Sequence, residues 1–157
     1  MKPTPKGWPR ISSAIFYRDA GAMIGWLCAA FGFAVRLRID GEGGRIEHSE
    51  LTYGDDGVIM VASERSGADV KFGMQMMSPL TASGNTQSLM LYVDDVDLHC
   101  QSAREHGAKI VDEPSVHDYG EDYWADRSYG ARDSEGHFWW FSERLRNPPT
   151  TASSSHT

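Results

Sequence analysis

Apolar and polar positions along the chain spell the same order of elements twice. From Arg10 to Tyr17, the residues Ser13, Ile15 and Tyr17 alternate with Ser12, Ala14 and Phe16, the two-residue period of a strand. Asp19 follows as a helix N-cap. From Ala20 to about Phe31, the residues Ile24, Leu27, Cys28 and Phe31 fall on one helical face. Gly32 ends the helix, because a residue without Cβ enters the left-handed backbone of a helix stop cheaply. Three strand-like segments come next, Ala34–Asp40, Ile46–Tyr53 and Val58–Ala62, with turn residues at Gly41–Gly44 and Gly54–Gly57 between them.

The order then restarts. A strand is predicted over Gln87–Val93, a cap at Asp94-Asp95, a helix over Val96 to His106 and a stop at Gly107. Strand-like segments follow around Lys109–Val111, Tyr123–Arg132 and His137–Ser142. Tyr17-Arg18-Asp19 aligns with Val93-Asp94-Asp95, Gly32 with Gly107, and the turn before Val58 with Ser134-Glu135-Gly136. The sequence therefore predicts an α+β domain over residues 10–146, built from two βαβββ modules at about 10–65 and 86–146. Residues 1–9, with Pro3, Pro5 and Pro9, are expected to form a loosely packed arm, and the Pro/Ser/Thr-rich stretch 147–157 a disordered tail.

Composition narrows the function classes. A chain of 157 residues is about one domain. Its 40% hydrophobic and 24% charged residues are those of an ordinary globular protein. The net charge of −7, with lysines and arginines scattered, speaks against nucleic acid as a partner. No apolar run approaches the roughly 20 residues that span a bilayer, and no hydrophobic stretch follows the basic N-terminus as in a secretory signal. Cys28 and Cys100 both fall in predicted helices without paired spacing, so buried free thiols and a cytoplasmic location are expected.

The doubled βαβββ unit resembles the glyoxalase/bleomycin-resistance/extradiol-dioxygenase (vicinal oxygen chelate) superfamily, and within it the PhnB-like or glyoxalase-like subgroup. The matching stretches are Ala30–Phe33 at the end of the first helix, Glu47–Leu51 followed by Val58–Met60, Val93–Val96, Gly107–Val111, and Arg127–Trp139. The resemblance covers about Ile11 to Glu143. It implies two curved mixed sheets facing each other around a cavity, and a homodimer in which modules are sometimes exchanged between chains. Whether the modules close within one chain or across a swapped dimer is left open.

The resemblance also implies where a metal would sit: a His on the first strand of each half and a Glu on the last. Its first-strand ligand lies seven residues before the Asp that opens the helix, which gives Ser12 and Ser88 in this chain. The last-strand positions fall at Met60 and Trp140. Hydroxyl, thioether and indole groups are not the imidazole and carboxylate donors that a catalytic divalent ion needs. A slip of one residue turns the side chain to the other face of the sheet and restores nothing. No metal or other cofactor is therefore expected at these positions.

Two further readings concern chemistry. His48 and Glu50, two apart on one strand, point to one face and could share a relocated metal or act as acid and base, but an exposed polar strand face, or a His held by hydrogen bonds, is the simpler account of them. His137 reads as a turn-stabilising residue, His99 and His106 as surface residues of the second helix, and His117 as unplaced. On the last strand Trp139 and Phe141 should pack against a helix, whereas Phe138 and Trp140 share the opposite face. With Ser12, Phe16, Met60, Ser88 and Met90 they would line an aromatic pocket fit for a flat or hydrophobic compound. Trp124 or Tyr123, beside Glu121 and Asp122, could stack on a basic aromatic ligand. Arg127 is expected in a structural ion pair, with Asp133 the suggested partner. The function expected is metal-free binding of a small aromatic or hydrophobic compound. The alternative is a metal-dependent lyase, isomerase or dioxygenase-type enzyme working at His48/Glu50, and a third reading is a dimerisation module with a filled cavity.

Overall fold

Both halves fold in the order the repeat predicts. The computed structural model describes residues 1–150. The first half comprises β1 (Ser13–Tyr17), α1 (Ala20–Phe31), β2 (Ala34–Asp40), β3 (Ile46–Tyr53) and β4 (Gly57–Ser63). A connection containing the single-turn helix α2 (Pro79–Ala82) leads to the second half: β5 (Leu89–Tyr92), α3 (Val96–Glu105), β6 (Lys109–Asp118), β7 (Ala125–Arg132) and β8 (Phe138–Arg146). Each half forms one four-stranded sheet, in the orders β1-β4-β3-β2 and β5-β8-β7-β6. The first strand of each half pairs in parallel with the last, which sets Ala14 beside Met60 and Met90 beside Trp140. The other neighbours run antiparallel.

Both helices carry the caps their sequences announce. Asp19 accepts from the Ala22 N–H and Asp95 from the Leu98 N–H, supplying partners for first-turn donors that lack one. Gly32 and Gly107 take positive φ at the helix ends, both at 88°. The apolar faces of the two helices and the inner faces of both sheets form one core. Phe31 of α1 lies with its ring centroid 4.7 Å from that of Phe141 and 5.3 Å from that of Trp139, both on β8. Burying each such side chain contributes about 1.5–3 kcal/mol, so neither half completes its core alone.

A polar joint sits beside this core. The buried Asp133 carboxylate accepts from the Tyr17 hydroxyl (2.7 Å), Trp139 Nε1 (3.0 Å) and the N–H groups of Glu135 and His137. Burial, and then the Asp133 charge, push the Tyr17 pKa well up, so this phenol stays a donor. Glu135 reaches across to accept from the Arg18 and Asp19 N–H groups at the start of α1 and from the Ser78 hydroxyl. His137 Nε2 donates to the Phe16 carbonyl (2.8 Å), which makes this residue a tie between the halves as well as part of a turn.

Several expectations need correction. His99 is not a free surface residue: it is half-buried between the halves, with Nε2 2.8 Å from the Phe31 carbonyl and Nδ1 2.6 Å from the Tyr129 hydroxyl. Its helical position gave no sign of this because α1 of the other module covers it. His106 is exposed, as expected. Arg127 pairs with Asp97 of α3 (2.8 Å) rather than with Asp133, which is turned inward. The N-terminal arm is held: Trp8 lies under the Arg36 guanidinium at 4.6 Å from its centroid, and Arg36 donates to the Gly7 carbonyl. β6 runs to Asp118, well past Val111, because Pro114 sits on an edge strand where no neighbour needs its missing N–H. Of the predicted tail, 147–150 are exposed and without regular structure, and the remainder lies outside the described residues.

Candidate functional site

The face of the second sheet turned away from the helices carries a row of cross-strand pairs. On β7 and β8, Asp126 stands opposite Arg144, Ser128 opposite Ser142, and Gly130 opposite Trp140. Met90 and Tyr92 of β5 continue two of these rows, beside Trp140 and Ser142. Strand alternation alone puts all of these on one face. Gly130 makes room for the aromatic pair of β8, since a Cβ there would lie 3.2 Å from the Phe138 ring and 3.4 Å from that of Trp140.

Above this row is a cavity of about 420 Å³. Its walls are aromatic and thioether side chains: Met90, Tyr92, Tyr119, Trp124 and Trp140. Its polar lining consists of His117, Asp126, Ser128, Ser142 and Arg144. Nearly all of these polar groups already have partners. Arg144 Nε binds the buried Asp126 carboxylate at 2.5 Å, and its other nitrogens bind Asn147 and the Tyr92 hydroxyl. The hydrogen bond to Asp126 pushes the arginine pKa further up, so the guanidinium stays charged. The Ser128 and Ser142 hydroxyls bond each other at 2.8 Å, and His117 Nε2 lies 3.2 Å from the Ser115 hydroxyl. What the cavity still offers a ligand is therefore ring surface, with a fixed ion pair at its edge. Arg144 lies 5.9 Å from the Trp124 centroid and 5.1 Å from that of Tyr92, which holds both rings in place.

The residues expected around one pocket are distributed over three. Met90, Trp124 and Trp140 line the large cavity. Ser12 and Ser88, with Met90 again, line a second one of about 290 Å³ between the two sheets. Phe16 lines a third of about 260 Å³ with Met76, Pro79 and His137. Met60 and Phe138 line none of these, although Phe138 packs edge-on against Trp140 at 5.3 Å. Tyr123, Glu121 and Asp122 also stand outside the large cavity. Tyr92, Tyr119, His117, Asp126 and Arg144 are lining residues that the sequence reading missed. The parity that placed Met90 and Trp140 would have found Tyr92 and Arg144 two and four residues on. His117 and Tyr119 needed the true end of β6.

On the equivalent face of the first sheet, His48 and Glu50 do come together, with Nε2 3.4 Å from Oε1. Arg36 takes the other Glu50 oxygen at 2.7 Å. Burial acts to raise the Glu50 pKa, but hydrogen bonds from Arg36 and His48 outweigh it and leave the carboxyl below its ordinary value. The bound Arg36 and the Trp8 ring against it make this a tied-down polar cluster. Among the described residues, no group of three or more His, Cys, Asp and Glu side chains is placed to hold a metal ion. At Ser12, Met60, Ser88 and Trp140, the positions where the resemblance implies metal ligands, the side chains are hydroxyl, thioether, hydroxyl and indole, a donor set that does not fit a catalytic divalent ion.

A doubled βαβββ fold whose two four-stranded sheets share one core with the helices, one sheet bearing a face walled by aromatic rings, is the architecture of a glyoxalase-like protein. Residues 10–141 match the family described as the Glyoxalase/Bleomycin resistance protein/Dioxygenase superfamily, and the chain belongs to it. Among solved structures it is similar to TioX from Micromonospora sp. ML1, at 29% identity over 86% of this chain and 98% of that one, with a TM-score of 0.64. A glyoxalase/bleomycin resistance protein from Streptomyces sp. CB03234 shares 19% identity over 83% and 96% of the two chains, with a TM-score of 0.57. A glyoxalase/bleomycin resistance protein/dioxygenase from Alicyclobacillus acidocaldarius shares 14% over 86% and 90%, also at 0.57. The last two show the fold alone. No curated protein matches the chain.

Proposed function

We propose that this protein binds a small, flat aromatic or hydrophobic compound on the helix-free face of its second sheet, without metal chemistry, and that it belongs to the PhnB-like or glyoxalase-like part of its superfamily. The observation that carries this reading is the cavity of about 420 Å³ walled by Tyr92, Tyr119, Trp124 and Trp140. Such a volume falls within the range of ordinary ligand pockets. Rings fixed in place lose little freedom on binding, so stacking on them is efficient. The partnered polar groups leave little to recognise a strongly polar ligand. Ser12, Phe16, Met60, Ser88 and Phe138 belong to this reading only as neighbours of the binding face.

Several coarser features support the same picture. No described helix is long and apolar enough to cross a membrane. Cys28 and Cys100 are free thiols, as suits a reducing compartment such as the cytoplasm. The exposed Val35, Leu37 and Ile39 of the edge strand β2 offer an apolar surface for the homodimer that the family resemblance implies.

A thermal-shift panel of planar aromatic compounds tests the reading, since a ligand that binds only the native state raises Tm. At least one compound should raise Tm, and Trp140→Ala should weaken its binding about tenfold, as the loss of one stacking wall warrants. No shift with any compound would favour a closed core. Stoichiometric metal on protein purified without chelator, lost on His48→Ala, would favour the enzyme reading at His48/Glu50.

A further inference from the structure

The cavity of about 420 Å³ holds one carboxylate oxygen without a partner. Asp126 stands in a cross-strand row between His117 of β6 and Arg144 of β8. Arg144 Nε donates to its Oδ1, and the other Arg144 nitrogens donate to Asn147 and the Tyr92 hydroxyl. Oδ2 receives no hydrogen bond from any described residue. It is not sealed off either. Among the described residues, the fully buried side-chain atoms without a partner are the Oγ atoms of Ser12 and Ser13 alone, so water still reaches Oδ2. The Asp126 side chain is only 10% exposed, and its opening is onto the cavity it lines.

The other polar groups of the lining make smaller demands on a ligand. The Ser128 and Ser142 hydroxyls bond each other, His117 Nε2 is engaged by the Ser115 hydroxyl, and the Tyr92 hydroxyl accepts from Arg144. Trp124 and Trp140 carry neutral N–H donors, and Tyr119 a neutral hydroxyl. Covering a neutral group costs less than covering a carboxylate oxygen, which loses its water and is stranded if no donor replaces it. A flat ring without a donor incurs that cost, and one with a donor at its edge avoids it. The same ion pair sets the ligand's charge. A cation would bring a second positive charge beside the guanidinium, and an anion would face Oδ2 while the Arg144 nitrogens are engaged elsewhere. We infer that Asp126 Oδ2 selects the ligand: a neutral aromatic compound whose ring edge carries an N–H or O–H donor, which this oxygen accepts. The selection rests on the aromatic cavity being the binding site and specifies the class of compound it takes.

The test is an NMR titration of the isotope-labelled protein with indole and with benzofuran, which has nearly the same outline but an oxygen in place of the N–H. Both should shift the amide signals of Met90, Ser128 and Trp140. Indole should bind at least about tenfold more tightly, the scale of one hydrogen bond to a charged group. Asp126→Asn should erase that preference, because its amide oxygen can still accept from Arg144 and its NH2 group then faces the ligand. Trp140→Ala should weaken both probes alike and leave their ratio unchanged, since it removes stacking surface and not the acceptor. Three results overturn the role of Asp126 while leaving the cavity as the binding site: equal affinity of the two probes for the wild type, a preference that survives in Asp126→Asn, or one lost in Trp140→Ala. Absence of any shift at those signals with either probe also overturns it, and the thermal-shift panel then decides the binding reading separately. The wild-type ratio decides the matter even if Asp126→Asn fails to fold.

Discussion

At the scale of single residues, the groups that matter most are polar ones held between the two halves. Asp133 gathers four donors, two of them from the side chains of Tyr17 and Trp139 on different sheets. His99 is placed similarly. The Phe31 carbonyl can only accept, so Nε2 carries the proton and Nδ1 accepts from the Tyr129 hydroxyl. Burial lowers the His99 pKa below its ordinary 6.5. A base whose folded pKa is depressed is taken up as the neutral form. Its contribution is present above the unfolded pKa and is lost as pH falls from about 6.5 towards the folded value. Urea denaturation across pH 5 to 8 should therefore show stability declining below about pH 6.5, and His99→Gln should remove most of that slope. An unchanged slope in the variant would show that other groups govern the acid side.

Among the elements, α1 depends on a residue more than a hundred positions away. Glu135, in the turn before β8, accepts from the Arg18 and Asp19 N–H groups at 2.7 and 2.9 Å and from Ser78 at 2.6 Å. Glu135→Ala would strand three donors in a nearly dry site and should lower stability by about 3 kcal/mol, with Glu135→Gln retaining about half of that. Equilibrium unfolding measures it, and a loss below about 1 kcal/mol for the alanine variant would mean that water replaces the carboxylate.

Elements were legible in the sequence to the degree that their signals are local. Helical periodicity ended by glycine placed α1 and α3 within a residue, and strand alternation put Trp139 and Phe141 in the core. The length of β6 was hidden by Pro114, which breaks a strand anywhere except at an edge. Within the site, Met90 and Trp140 were legible because parity fixes a face, and Trp124 because it stands in a segment dense in aromatic and acidic residues. Ser12, Ser88 and Phe16 were separated from them by the placement of one sheet against the other, which no pattern within a strand encodes.

At the scale of the whole molecule, the helices and both sheets share one core, and Phe31 is the clearest case: three of its aromatic neighbours, His99, Trp139 and Phe141, belong to the other half. The halves should therefore melt together. A fragment of residues 10–65 expressed alone should remain unfolded by circular dichroism, whereas the intact chain should give one cooperative transition. A fragment with native-like ellipticity and a sharp melt would refute the shared core as the unit of stability.

The halves have nonetheless diverged in one respect. The His48–Glu50 face is tied down by Arg36 with Trp8 against it, while the Trp124–Trp140 face keeps an open cavity. That asymmetry separates anchoring from openness: polar contacts fix the face of the first sheet, and the face of the second stays open at its cavity. A lineage adapting to a new compound could then rework Tyr92, Tyr119 or Trp124 with little disturbance to the copy that anchors the fold.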